Sequence, residues 1–206
     1  MATIEELTID YAGYQTYCKV VGEGTPGRKP LLFLHGGPGG AHDGLLTYAP
    51  MADRFGRQLI FYDQIGGGRS AIPHQPDDFY DYDLWIGEFF AVREALGLDD
   101  IHLFGNSWGG MLGMMCLLRD DAGVNSFVIT GKMRDWDIRA DLSGLRVPCL
   151  MLSGTDDECT PYTAKEVVDC IPDCEWTLLQ GAPHLANLTH PEECILAVEG
   201  FIERHE

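Results

Sequence analysis

The sequence predicts a single α/β domain in which a mostly parallel sheet carries helices on both faces. Three observations predict it. Short continuous apolar runs such as Leu31-Leu32-Phe33-Leu34 recur along the chain, and a strand covered on both faces has that pattern. These runs alternate with segments whose apolar residues fall at helical spacing, and a repeating strand–helix order implies crossovers over a parallel sheet. Each run that precedes a distinctive motif ends in a glycine-rich or polar turn, and in such sheets reactive groups collect at the carboxyl ends of the strands. With 206 residues the chain is long enough for one full core and short for two, so residues 1–206 are read as one domain.

Residues 3–10 and 14–22 alternate apolar and polar around Gly13, which predicts a hairpin of two edge strands. A loop rich in Gly and Pro follows, and the buried run 31–34 ends in His35-Gly36-Gly37-Pro38-Gly39-Gly40. A helix is predicted through 43–54, and then a strand over 58–62 that is closed by Asp63-Gln64-Ile65-Gly66-Gly67-Gly68-Arg69-Ser70. Residues 71–83, rich in Pro and Asp, read as surface loop. Leu84, Phe89, Val92 and Leu96 have helical spacing, and Gly97 stops that helix before the run Ile101-His102-Leu103-Phe104. The almost wholly apolar run 111–118 predicts a central helix covered on most sides. The remainder reads as strand 125–130, a short helix near 137–144, strand 147–153, helix 162–170, strand 175–180 and helix 191–204.

Composition narrows the function classes. Hydrophobic residues at 45% and charged residues at 22% are ordinary for a globular chain. A formal net charge of −18 gives the wrong sign for a phosphate backbone, so nucleic acid is not an expected partner. No apolar run reaches the length of a membrane span, and the acidic start Met1-Ala2-Thr3-Ile4-Glu5-Glu6 is unlike a secretory signal. Seven cysteines at no framework spacing suit free thiols in a reducing compartment, so the expected location is the cytoplasm. Cys170 and Cys174 lack a second pair at metal-ligand spacing, and neither a metal nor a cofactor is expected.

Gly105-Asn106-Ser107-Trp108-Gly109 fits G-x-S-x-G, in which small first and last residues let a strand turn sharply into a helix and push the serine hydroxyl out of the sheet. A serine needs a base to take its proton and an acid to orient that base. In the α/β-hydrolase chain order these follow as serine, acid, histidine. Downstream of Ser107 the strand 147–153 runs into Gly154-Thr155-Asp156-Asp157-Glu158, and the strand 175–180 runs into Gly181-Ala182-Pro183-His184. Asp156 and Asp157 compete for the acid role. His184 is preferred as base over His190, which sits in a helix-cap pattern, and over His35 and His42, which precede the serine. Oxyanion donors must be backbone N–H groups: Trp108 opens the helix after the serine, and Gly36 or Gly37, with Gly37 preferred, lies in the glycine run. No Lys-Ser or Lys-Thr pair follows that run, so it is not a phosphate loop. No G-x-G-x-x-G with a distant acid marks a dinucleotide site.

These stretches resemble the proline iminopeptidases and related amino-acid amidases of the α/β-hydrolase superfamily. The match rests on His35-Gly36-Gly37-Pro38-Gly39-Gly40, Asp63-Gln64-Ile65-Gly66-Gly67-Gly68-Arg69-Ser70, Gly105-Asn106-Ser107-Trp108-Gly109-Gly110 and Gly154-Thr155-Asp156-Asp157-Glu158, with residues 127–137 similar to the family's lead-in to the acid-bearing strand. The resemblance implies Ser107 as nucleophile, Asp157 as acid and His184 as base, with Gly37 and Trp108 as oxyanion donors. It also implies that Glu158 helps bind a free amino group, and Gly36 is taken as a further substrate-binding position. Ser107 stands where haloalkane dehalogenases and epoxide hydrolases need a carboxylate. Members of the family usually carry a helical cap of about a hundred residues, on the scale of an ordinary domain. Here 49 residues lie between Ser107 and Asp157, so the cap is expected to be absent, deleted or replaced by a short connection around 120–146. The expected activity is hydrolysis of amides or esters of small molecules or peptides through an acyl-enzyme, with relaxed specificity. The alternatives are a general carboxylesterase and a non-catalytic binding protein with a disordered triad. Loss of a cap would also bare apolar surface through which copies of the chain would associate.

Overall fold

The apolar runs form the middle of one eight-stranded sheet. The computed structural model of the chain describes residues 1–75, 79, 81–131 and 138–206. Its strands are β1 (Ile4–Tyr11), β2 (Tyr14–Val21), β3 (Leu31–Leu34), β4 (Leu59–Tyr62), β5 (Ile101–Asn106), β6 (Val124–Thr130), β7 (Cys149–Gly154) and β8 (Cys174–Leu179). They lie in the order β1-β2-β4-β3-β5-β6-β7-β8. The pairs β1–β2 and β2–β4 are antiparallel, and every later pair is parallel.

The opening hairpin forms as predicted, but only β1 is an edge. β2 pairs with β4, Cys18 opposite Tyr62, and its residues Thr16, Tyr17, Cys18 and Val21 are buried. The strand predicted over 125–130 completes the sheet: in β6, Ile129 lies opposite Gly105 of β5 and Met151 of β7.

Alternation along β3 shows how the sheet is covered. Leu32 and Leu34 join the core beneath α2 (Tyr82–Ala95), α3 (Trp108–Arg119) and α4 (Pro161–Val168). Leu31 and Phe33 face the opposite core, with Met51 and with Ile195, Val198 and Phe201 of the C-terminal helix. The helix predicted through 43–54 is instead a 3-10 segment, His42–Tyr48, followed by a short helix, α1 (Pro50–Phe55). Pro50 has no N–H to continue the first segment and is suited to the first position of the second. The predicted loop 71–83 is not all surface. Phe79 is buried and packs edge-on against Trp85 and Tyr14, and α2 starts at Tyr82, where Asp81 accepts a hydrogen bond from Asp83 N–H. Residues 76–78 and 80 of that stretch, and 132–137 of the lead-in to the acid-bearing strand, lie outside the described residues. The helix predicted near 137–144 is, over its described part, a turn and a single 3-10 turn at Leu142–Gly144. Among the described residues no helix is long and apolar enough to cross a membrane.

Candidate active site

Ser107 occupies the sharp turn between β5 and α3. Its φ of 54° and ψ of −117° fall in a region that side-chain-bearing residues adopt at a cost of order 1–3 kcal/mol. The turn is held by close backbone approaches. A side chain at Gly105 would run into the Gly109 backbone, and one at Gly109 into the Leu34 and His35 carbonyls. Ser107 N–H donates to the Thr130 carbonyl at the end of β6, 2.6 Å away. Trp108 is the first helical residue, so its N–H has no partner within the helix.

His184 and Asp157 meet on the loops after β8 and β7. The ring Nδ1 lies 2.8 Å from Asp157 Oδ1, and because a carboxylate only accepts, Nδ1 carries the proton and Nε2 keeps its lone pair. Asp157 is buried and accepts a second hydrogen bond from Cys159 N–H at 2.7 Å. The hydrogen bond to Asp157 raises the His184 pKa above the ordinary histidine value; burial opposes that, and the nearby Glu158 charge adds to it. Glu158 is mostly exposed, with Oε1 3.9 Å from His184 Nε2. The ring rests on Gly131, the residue after Thr130: a Cβ there would lie 2.8 Å from His184 Cε1. Serine and histidine therefore flank the same end of β6. No hydrogen bond joins the Ser107 hydroxyl to the ring among the described residues, and catalytic contacts of this kind commonly close only when substrate binds.

The rivals have other occupations. Asp156 accepts from the Thr155 hydroxyl at the exposed surface. His190 pairs with Thr189. His42 binds Asp63 through its ring Nδ1 at 2.8 Å and its N–H at 2.7 Å. Burial alone would raise the Asp63 pKa, but these bonds and one from Arg69 N–H hold it below the ordinary carboxylate value. His35 is buried, which lowers its pKa. Its Nε2 accepts from Gln64 N–H at 2.9 Å, so its proton lies on Nδ1, 2.7 Å from the Gly36 carbonyl.

The two glycines proposed near the oxyanion differ in position. A side chain at Gly36 would meet Ser107 Cβ at 3.3 Å, whereas the nearest atoms to one at Gly37 are loop backbone of Gly39 and Gly40. Gly36 is thus the loop residue packed against the Ser107 turn.

Sequence reasoning assigned no role to three residues that the fold gathers here. Gly131 seats the histidine. Gln64 bridges His35 and Trp108. Glu88, fully buried in α2, takes Ile65 N–H at 2.9 and 3.1 Å and the Thr16 hydroxyl. Burial pushes its pKa up to about 8, although the hydrogen bonds from Thr16 and Ile65 work against that. An acid set between the apolar stretches Leu84–Ile86 and Phe89–Val92 was the available signal for Glu88.

Known proteins match this frame closely. A family model described as the alpha/beta hydrolase fold matches residues 29–144. A proline iminopeptidase of Lactobacillus delbrueckii subsp. bulgaricus is 30% identical over 275 positions, which span 90% of this chain and 93% of that protein. One from Lactobacillus helveticus is 26% identical over 292 positions, spanning 98% and 99%. The crystal structure of a proline iminopeptidase from Mycobacterium smegmatis superposes with a TM-score of 0.92 at 26% identity, covering 98% of both chains. The strained serine turn between β5 and α3, the order of the sheet and these near-full-length matches give one answer: the chain belongs to the proline iminopeptidase family of the α/β-hydrolase fold.

Proposed function

We propose that the chain is a serine hydrolase that cleaves amides and esters through an acyl-enzyme on Ser107. The observation that carries this is the strained Ser107 turn sharing the end of β6 with a His184 whose Nδ1 is held 2.8 Å from buried Asp157. In the reaction, Ser107 Oγ attacks the carbonyl carbon while its proton passes to His184 Nε2, and Asp157 stabilises the imidazolium that results. Trp108 N–H and Gly37 N–H hold the developing oxyanion, each worth roughly 10²–10³ in rate. Collapse expels the amine or alcohol, which takes the proton from Nε2. Water then attacks the acyl-serine with the same base, releasing the acid and restoring Ser107.

The reading extends to substrate. Gly36 lines the acyl side and Glu158 faces a free amino group, as in an aminopeptidase, but with relaxed selectivity because the single domain lacks a cap. The alignment with the Lactobacillus helveticus protein supports this: it runs over 292 positions against 206 residues here, so more than eighty positions have no counterpart in this chain. Among the described residues, the cavity beside His184 and Asp157 is about 10 Å³, the size of one water, and too small for a substrate. Leu185 and Leu188, following His184 in the chain, are 45% and 53% exposed.

A fluorophosphonate probe and three substrates test the reading. Labelling should be lost in Ser107→Ala, and an acyl ester, a prolyl anilide and its N-acetyl form should all turn over with less than about a hundredfold spread. Folded wild-type protein that takes no label would refute serine catalysis. A large preference for the free amine would refute relaxed selectivity.

A further inference from the structure

The stretch Asp63-Gln64-Ile65 at the end of β4 has no part in the reaction as written, yet its middle residue joins the two segments that carry the oxyanion donors. Gln64 is 1% exposed. Its side-chain Oε1 accepts from the Trp108 indole Nε1–H at 2.8 Å, and its Nε2 donates to the His35 carbonyl at 3.0 Å. Its own N–H donates to His35 Nε2, and that ring donates onward to the Gly36 carbonyl. One amide thus ties the first residue of α3 to the glycine loop.

The brace is itself anchored. Ile65 N–H is held by Glu88, and the Ile65 carbonyl accepts from Trp85 Nε1–H at 3.0 Å. The Trp85 ring meets Trp108 edge-on, with centroids 5.3 Å apart. Neither end of Gln64 can drift without breaking a buried hydrogen bond.

We propose that Gln64 is a positioning residue that sets the separation between the Trp108 N–H and the N–H groups of the Gly36-Gly37 loop, and so the grip on the oxyanion. This rests on the serine-hydrolase reading above. Donors of this kind act only when held close to the place where charge develops. Loss of the brace therefore weakens transition-state binding and leaves ground-state binding and the His184–Asp157 pair untouched.

The test compares Gln64→Met, which keeps the volume and loses both side-chain bonds, with Trp108→Phe, which loses the indole N–H and keeps the backbone donor. Each is assayed with p-nitrophenyl acetate and with an alkyl boronic acid that forms a tetrahedral adduct on the serine. Gln64→Met should lower kcat about 10–100-fold, change KM by less than about threefold, weaken boronate binding by a factor similar to the kcat loss, and leave the acid limb of the pH profile in place. Trp108→Phe should move the same way, and the double variant should be little worse than the worse single one. Should Gln64→Met fail to fold, Trp108→Phe alone carries the test. A folded Gln64→Met with kcat within threefold of wild type, a KM effect alone, or effects that multiply in the double variant would overturn the proposal. Wild-type protein with no Ser107-dependent turnover or labelling overturns the functional reading and this inference together, whereas normal wild-type turnover with an unaffected Gln64→Met overturns only the inference.

Discussion

Gly131→Ala asks whether His184 is held where catalysis needs it. Gly131 has a φ of +77°, and a Cβ added there would sit 2.8 Å from His184 Cε1 and 3.3 Å from Nδ1. Carbon atoms in contact prefer about 3.5–4.0 Å, so the ring must retreat by roughly 0.7 Å or more. The left-handed backbone adds a cost of about 1–2 kcal/mol for an L-residue. A misplacement near 1 Å can cost on the order of 10²-fold in rate, so kcat/KM for p-nitrophenyl acetate should fall roughly 30–100-fold. Urea unfolding should show a loss of about 1–2 kcal/mol. Gly97→Ala separates the two effects. Gly97 has a φ of +63° and nothing within 4 Å of an added Cβ, and it lies just beyond α2, so it should lose similar stability and keep full activity. If Gly131→Ala retains kcat/KM within twofold of Gly97→Ala, the ring is not seated on Gly131 and the placement of the base is wrong.

The free-enzyme pH profile offers a second check. His184 must be neutral to accept a proton, so kcat/KM should fall as pH drops through its pKa, with the acid limb above the ordinary histidine value because of Asp157 and Glu158. Glu158→Gln removes one source of that rise, so the limb should move to lower pH, by less at high salt, since Glu158 is exposed; a limb that stays put or moves up contradicts the assignment. Glu88 provides a stability test. Its folded pKa of about 8 lies above the ordinary 4.5, so between those values the unfolded chain has lost the proton that the fold retains. Wild-type stability should fall with rising pH across that window relative to Glu88→Gln, by on the order of 3–5 kcal/mol in total. Parallel pH–stability curves for the two proteins would show that Glu88 is charged throughout.

The local features were legible because they depend on neighbours in the chain. Ser107 between Gly105 and Gly109 announces a tight strand-to-helix turn, and Leu31-Leu32-Phe33-Leu34 announces a strand covered on both faces. Pro50 could have signalled the break in the helix predicted over 43–54, since its missing N–H is a local fact. Burial of Phe79 was hidden, because nothing near it in the chain shows that Tyr14 and Trp85 will pack against it.

The fold class, the strand–helix order and the serine turn were all readable from the chain, since they follow from the periodicity of side chains and from where glycine permits the backbone to bend. Chain order and the family resemblance pointed to His184 with an acid after β7, but the contacts themselves, and most of the other polar pairs, were settled by how the strands pack. That His184 lies against Asp157 while His42 takes Asp63, that β6 stands between β5 and β7, and that Gln64 spans His35 and Trp108 all depend on strand order and register. Those contacts join residues 21 to 44 positions apart in the case of His42, His184 and Gln64 with Trp108. A buried polar group binds whichever partner the packed sheet brings within reach, and spacing along the chain does not carry that information.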